Sequence, residues 1–179
     1  DFRSPEQRVP ATGWPGVDWE SCITMNGTRG YKAKDKKFKS TAQQIGLLTE
    51  TASKVGNLLL NIGPRPDGTF PDESVQRLAE LGRWMSVNGG AIHGSTASPF
   101  SNAPCRVTSQ PGKLNLFITN WADAITIPVT SKALIRVYLL ADRSKTPLTF
   151  QLVDNGVRIS LPPQAPDPIC SVVVCEVDG

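Results

Sequence analysis

Long hydrophobic runs are missing from this 179-residue sequence: even the apolar stretch Ala133 to Ala141 is interrupted by Arg136, so no membrane span is expected. An excess of charge of one sign is missing too. The formal net charge is only +3, and with no arginine-rich helix or recognition motif, nucleic acid is not an expected partner. Histidine occurs once, at His93, with no nucleophile motif near it, and a structural role is expected there. The four cysteines, Cys22, Cys105, Cys170 and Cys175, are too few and too scattered for a disulfide-stapled miniprotein. None forms a Cys-x-x-Cys pair, so neither a metal nor a cofactor is expected. Cys170 and Cys175 lie an odd number of positions apart in one strand-like run, which points them to opposite faces, and free buried thiols are expected. An internal repeat is lacking as well, which excludes a solenoid or propeller. The opening Asp1-Phe2 carries no Met, signal peptide or targeting pattern and reads as a cut end, from processing or from a longer polypeptide.

What is present is organised around Val55 to Thr69. The apolar run Asn57-Leu58-Leu59-Leu60-Asn61-Ile62 lies between Gly56 and Gly63 and precedes a loop of Pro, Gly and Asp, the pattern of a buried strand in an α/β protein. Strand parity puts Asn57, Leu59 and Asn61 on one side and Leu58, Leu60 and Ile62 on the other. Upstream, Asp1 to Asp18 has no periodicity and reads as a long irregular loop. A strand is expected over Trp19 to Met25, with Glu20, Cys22 and Thr24 on one face.

The five lysines of Lys32 to Lys39 are expected on a solvated surface loop. Ser40 or Thr41 can cap a helix whose stripe is Ile45, Leu48, Ala52 and Val55, ending at Gly56. Pro71, Asp72 and Glu73 suit the first turn of a second helix carrying Val75, Leu78, Leu81, Trp84 or Met85, and Val87 or Asn88. Gly89-Gly90 ends it. Strand, helix, strand, helix is a parallel α/β repeat, and two rounds of it cannot close a barrel.

From His93 to Pro104 the composition is that of a linker, and the domain division is expected after residue 97. Residues 98–179 hold β-rich runs at Leu114–Asn120, Ile125–Val129, Leu134–Leu140, Leu148–Val153, Val157–Leu161 and Ser171–Val177, which predict a small antiparallel β-sandwich. Candidates for chemistry are Glu6, Glu20, His93, the asparagines of the central strand, and the aromatics Trp14, Trp19 and Tyr31. Carboxylates beside aromatics at strand ends point to sugar chemistry, because aromatic faces stack on pyranose C–H groups and carboxylates act as acid, base or nucleophile. Asn26-Gly27-Thr28 is a glycosylation sequon of a kind that also arises by chance.

Several motifs in order carry a resemblance: Asp1-Phe2-Arg3-Ser4-Pro5-Glu6, Trp19-Glu20-Ser21-Cys22, Gly30-Tyr31, Gly56 to Pro64, Asp67-Gly68-Thr69 and Gly89-Gly90-Ala91-Ile92-His93-Gly94. Together they are similar to the second half of the catalytic domain of family 29 glycoside hydrolases, the α-L-fucosidases. The resemblance implies the last strands and helices of a TIM-like (β/α) barrel over 1–97, followed by the β-sandwich domain. It implies a retaining hydrolase of terminal α-L-fucosyl linkages, with Glu6 as acid/base, Glu20 as the competing carboxylate, and an Asp nucleophile upstream of these residues. Trp19, Arg29, Tyr31 and Asn61 are the implied substrate-binding residues. Arg29 departs from the family, which carries Trp or Phe before the Gly-Tyr pair. The implied partners are a fucosylated oligosaccharide or glycoconjugate and the N-terminal part of the same enzyme, in a secreted, lysosomal or periplasmic setting. A noncatalytic fucose-glycan-binding protein derived from the same fold is the alternative.

Overall fold

The computed structural model describes residues 2–128 and 134–178, so Asp1 of the opening motif and Val129 of an expected strand lie outside the described residues. The fold is mixed α/β, and it divides into two units, Asp1–Ser86 and Val87–Gly179.

In the first unit β1 (Glu20–Thr24) is followed by α1 (Thr41–Ala52), β2 (Asn57–Asn61) and α2 (Asp72–Asn88). Ser40 starts α1 with a reciprocal capping box: its Oγ accepts from Gln43 N at 3.2 Å and its own N–H donates to Gln43 Oε1 at 2.8 Å. Ile45 and Ala52 are buried as their spacing predicts. Val55 is not: it lies beyond the helix, exposed, at φ +57°. Glycine is the residue at ease in that conformation, yet Gly56 is taken by packing, since a Cβ there would stand 2.3 Å from the ring of Trp19.

Strands β1 and β2 run parallel, with Glu20 opposite Asn57, Cys22 opposite Leu59 and Thr24 opposite Asn61. Trp19, Ser21, Ile23 and Met25, alternating with that set, are buried on the other side. In α2 the buried positions are Ser74, Trp84 and Asn88, whereas Val75 and Leu78, expected on the core stripe, are exposed. The helix thus carries a second apolar line that no described residue covers.

The second unit, after the last two residues of α2, holds a 3-10 turn, Gly89–Ala91, and then β3 (Arg106–Gln110), β4 (Lys113–Ile118), β5 (Ala124–Ile127), β6 (Leu134–Leu139), β7 (Phe150–Val153), β8 (Gly156–Ser160) and β9 (Ser171–Val177). These make two antiparallel sheets, of order β3-β4-β9-β6 and β5-β8-β7. Leu114, Leu116, Val137, Val173 and Cys175 from the first meet Ile127, Val157 and Ile159 from the second in one apolar core. Strand β3 is absent from the sequence-based expectation. It forms because Pro111-Gly112, with Gly112 at φ +69°, folds it back onto β4 in a tight hairpin. Opposite the core, the buried Thr108 donates to Ala91 O at 2.7 Å and accepts from Asn115 Nδ2 at 3.2 Å. His93 is exposed in the turn before this network, and its carbonyl accepts from Gln110 Nε2 at 3.0 Å.

Candidate active site

The irregular start of the chain is not wholly irregular, because Arg3 to Gln7 runs parallel to β1. Glu20 N donates to Arg3 O and Cys22 N to Pro5 O, both at 3.0 Å, and Gln7 N donates to Cys22 O at 2.9 Å. The bridges Arg3–Trp19 and Glu6–Cys22 keep one constant register. Paired residues of parallel strands share a face, so Glu6, Cys22 and Leu59 form one row, flanked by Glu20 with Asn57 and by Thr24 with Asn61. The lane ends just after Glu6, where Gln7 turns at φ +56° and its Oε1 accepts from Thr24 N at 3.3 Å.

Over this face lies the loop Asn26 to Tyr31. Arg29 reaches from it to pair with Glu6, and its Nη2 lies 3.9 Å from Cys22 Sγ. Both members of the pair are more than half exposed, at 56% for Arg29 and 59% for Glu6. The Glu6 carboxylate, through its hydrogen bond and charge, raises the Arg29 pKa, which leaves the guanidinium a permanent cation at the site. Tyr31 is exposed, at the edge of a shallow cleft that Asn26, Lys32, Asp35, Gly63 and Arg65 also line. Gly63 is needed at the end of β2, since a Cβ there would stand 2.5 Å from Gly30 C and Tyr31 N. Asn61 Oδ1, one residue beyond Leu60 on the site face, is buried and accepts no hydrogen bond among the described residues. A buried acceptor in that state is short of a donor.

The structure therefore brings Glu6, Glu20, Arg29 and Asn61 to one face with Tyr31 at its rim. It does not bring Trp19 there. Trp19 is buried on the opposite side, its Nε1 donating to Lys54 O at 3.3 Å and its ring edge-on to Trp14 at 5.9 Å, and the alternation of the strand is the reason. Glu20 opens β1 while Asn61 closes β2, so the two stand about four strand residues, or ~13 Å, apart along the sheet. Glu6 lies between these levels. The lysine run is solvated at Lys32, Lys34 and Lys37, but Lys39 is not part of a free loop: its Nζ caps Thr24 O at 2.6 Å and its N–H donates to Met25 O at 2.7 Å. Gln7 and Asp35 carry no signal in the sequence, because the contacts that tie them to the site, Gln7 with Thr24 and Asp35 with Gly27, join residues 17 and 8 positions apart.

A family model described as alpha-L-fucosidase matches residues 1–90. The chain is 26% identical over 152 residues to an alpha-L-fucosidase of Dictyostelium discoideum, covering 84% of this chain and 32% of that protein. It is 36% identical over 109 residues to a tissue alpha-L-fucosidase of Mus musculus, covering 59% of this chain and 22% of that one. Alpha-L-fucosidase isoenzyme 1 from Paenibacillus thiaminolyticus superimposes over 100% of this chain and 45% of its own, with a TM-score of 0.92 at 32% identity. The Thermotoga maritima alpha-fucosidase in complex with a mechanism-based inhibitor covers 98% of this chain and 42% of its own, with a TM-score of 0.85 at 26% identity. The chain thus spans less than half the length of these relatives. With half of its residues inside the family model and the same backbone path in solved members, the chain belongs to the α-L-fucosidase family.

Proposed function

We propose that this chain is the C-terminal part of a retaining α-L-fucosidase that hydrolyses terminal α-L-fucosyl linkages of oligosaccharides or glycoconjugates. Residues 1–97 are the closing part of a TIM-like (β/α) barrel and 98–179 a β-sandwich domain. The observation that carries the reading is the parallel lane Arg3 to Gln7, which puts Glu6 on the same face as Glu20 and Asn61. In a (β/α) barrel that face is the interior, and its strand ends are where catalytic groups stand.

Retention requires two carboxyl groups roughly 5–5.5 Å apart. The proposal gives Glu6 the acid/base role and places the nucleophilic Asp in the part of the enzyme outside these residues. The Asp carboxylate attacks the anomeric carbon as the glycosidic C–O bond breaks, and Glu6, which must enter this step in its protonated form rather than as the carboxylate paired with Arg29, gives its proton to the departing oxygen. Glu6, now a carboxylate, takes a proton from water as that water attacks the same carbon. The ester bond to Asp breaks, and fucose leaves with its configuration retained. Glu20 is the alternative acid/base, but its place at the opening end of β1 favours Glu6. Arg29 and Tyr31 line the sugar's entrance, and Asn61 Oδ1 accepts from a sugar hydroxyl. Trp19 serves by packing, as the wall behind β1. The relatives include proteins named tissue and plasma alpha-L-fucosidase, and no helix of the described residues is long and apolar enough to cross a membrane. A secreted, lysosomal or periplasmic setting suits both observations.

Glu6→Ala in the complete enzyme is the test. Turnover of a fucoside with a poor leaving group should fall by about 10²–10⁴, while an aryl fucoside with a good one loses less. Azide, which needs no base, should restore turnover and appear in a fucosyl azide product. Unchanged turnover with no azide adduct removes Glu6 from the mechanism. Fucose binding by a complete protein that turns over neither substrate supports the noncatalytic binder instead.

A further inference from the structure

The loop that carries Arg29 over the site is held by a chain of hydrogen bonds that starts on a carboxylate outside it. Asp35 Oδ2 accepts from Gly27 N at 2.8 Å and from Asn26 Nδ2 at 3.1 Å, while Asp35 Oδ1 accepts from Lys37 N at 2.9 Å. The second proton of the Asn26 amide goes to Thr28 Oγ1 at 3.3 Å, and Thr28 Oγ1 in turn donates to Gly30 O at 2.8 Å. That hydroxyl makes one acceptance and one donation, within its capacity, and both amide protons of Asn26 are spent. The approach is close: a Cβ at Gly27 would stand 2.9 Å from Asp35 Oδ2. At its far end the chain reaches the Gly30 backbone, which lies against Gly63 where β2 ends. Arg29 is thus suspended between Thr28 and Gly30, two residues fixed from Asp35, and Tyr31 follows directly. Asn26 is buried and Thr28 is engaged, so the Asn26-Gly27-Thr28 triplet is spent on building this loop rather than on accepting a glycan.

Resting on the α-L-fucosidase reading, we propose that Asp35 is a positioning residue of the site, which sets where Arg29 and Tyr31 stand relative to Glu6 through the Asn26–Thr28–Gly30 chain. Its carboxylate oxygens are taken by Asn26, Gly27 and Lys37, so it acts through the loop. A displacement of about 1 Å in such supporting structure is enough to change rates on the order of 10²-fold.

The test compares Asp35→Ala and Asp35→Asn in the complete enzyme, alone and combined with Arg29→Ala. Amide hydrogen exchange at Gly27 and Lys37 should quicken in Asp35→Ala, and at one of the two in Asp35→Asn, whose amide offers a single acceptor oxygen, while exchange in α1 and β1 stays as in the wild type. With an aryl fucoside, KM and kcat should shift by about tenfold or more together, and the double variant with Arg29→Ala should cost little beyond Arg29→Ala alone, the non-additivity of residues acting as one unit. Additive effects, or loosened exchange with unchanged kinetics, overturn the positioning role. Unchanged exchange at Gly27 and Lys37 overturns the chain itself. Asp35→Asn keeps the side chain's shape, so it decides the matter even where Asp35→Ala folds poorly. A wild-type enzyme that turns over no fucoside sinks the functional reading, and the exchange data still decide whether Asp35 holds the loop.

Discussion

Cys22 is the residue whose chemistry best reports where the site lies. Burial pushes the thiols of Cys105, Cys170 and Cys175 up to about 12, so all three stay protonated and unreactive near neutrality. Cys22 is half-buried on the site face, with the Arg29 guanidinium beside it. A brief treatment of the native protein with iodoacetamide near pH 7.5 should therefore add one label, on Cys22, and a fucose-configured inhibitor should slow it. Peptide mass analysis reads both results, and early labelling at Cys105 or Cys170 sinks the prediction. The same three thiols set an alkaline limit. Below about 8.5 they are protonated folded or unfolded and add no pH dependence. Above that, the unfolded chain gives up protons that the folded chain keeps, so stability falls as the pH climbs toward about 12.

At the scale of elements, the hairpin of β3 and β4 depends on polar contacts as much as on apolar ones. Thr108 is fully buried, and its hydroxyl joins Ala91 O to Asn115 Nδ2, which also donates to Gln110 Oε1 at 3.2 Å. Replacing Thr108 by Val keeps the shape and strands both partners, so it should cost about 1–3 kcal/mol of unfolding free energy. Thr108→Ser, which keeps the hydroxyl, should cost less, and equal losses in denaturant titrations would place the effect in packing alone. This hairpin also marks a limit of legibility. Arg106-Val-Thr-Ser-Gln has one apolar residue and no alternation, so its only sequence signal is the Pro-Gly turn after it. By contrast β2 was legible from glycine-bounded leucines, and α1 from Ser40 and the spacing of Ile45 and Ala52. In the site, Asn61 was legible as a polar residue inside a strand signal, whereas Glu6 lies in a stretch that reads as an irregular loop, and its place beside Cys22 comes from a parallel bridge that no local pattern encodes. Strand parity alone already separates Trp19 from Glu20, whereas the hold of Asp35 on Asn26 and of Gln7 on Thr24 comes from tertiary folding that no local pattern encodes.

At the scale of the whole molecule, the apolar residues left uncovered belong to one reading. Leu59, 46% exposed, sits in the row of Glu6 and Cys22, and α2 exposes Val75 and Leu78 although its other line is buried. Strand β2 pairs with β1 alone among the described residues, so its second edge has no strand beside it. A parallel sheet this small, buried on one side and open at the β2 edge, is marginal by itself, and its open edge and face invite further strands. The proposed barrel, closed by a further part of the enzyme, would put Leu59 inside and Val75 with Leu78 under a neighbouring helix. The consequence is measurable as a difference between two contexts. In the complete enzyme Leu59→Ala should cost roughly 2–5 kcal/mol, the loss for a leucine cut back in a packed interior. In the 179-residue chain the same substitution should change stability by no more than about 0.5 kcal/mol, as at a surface position. That shorter chain should also bind a hydrophobic dye that the complete enzyme excludes. Equal and small losses in both contexts would leave Leu59 in solvent throughout, and the face that holds Glu6 would then not be the interior of a barrel.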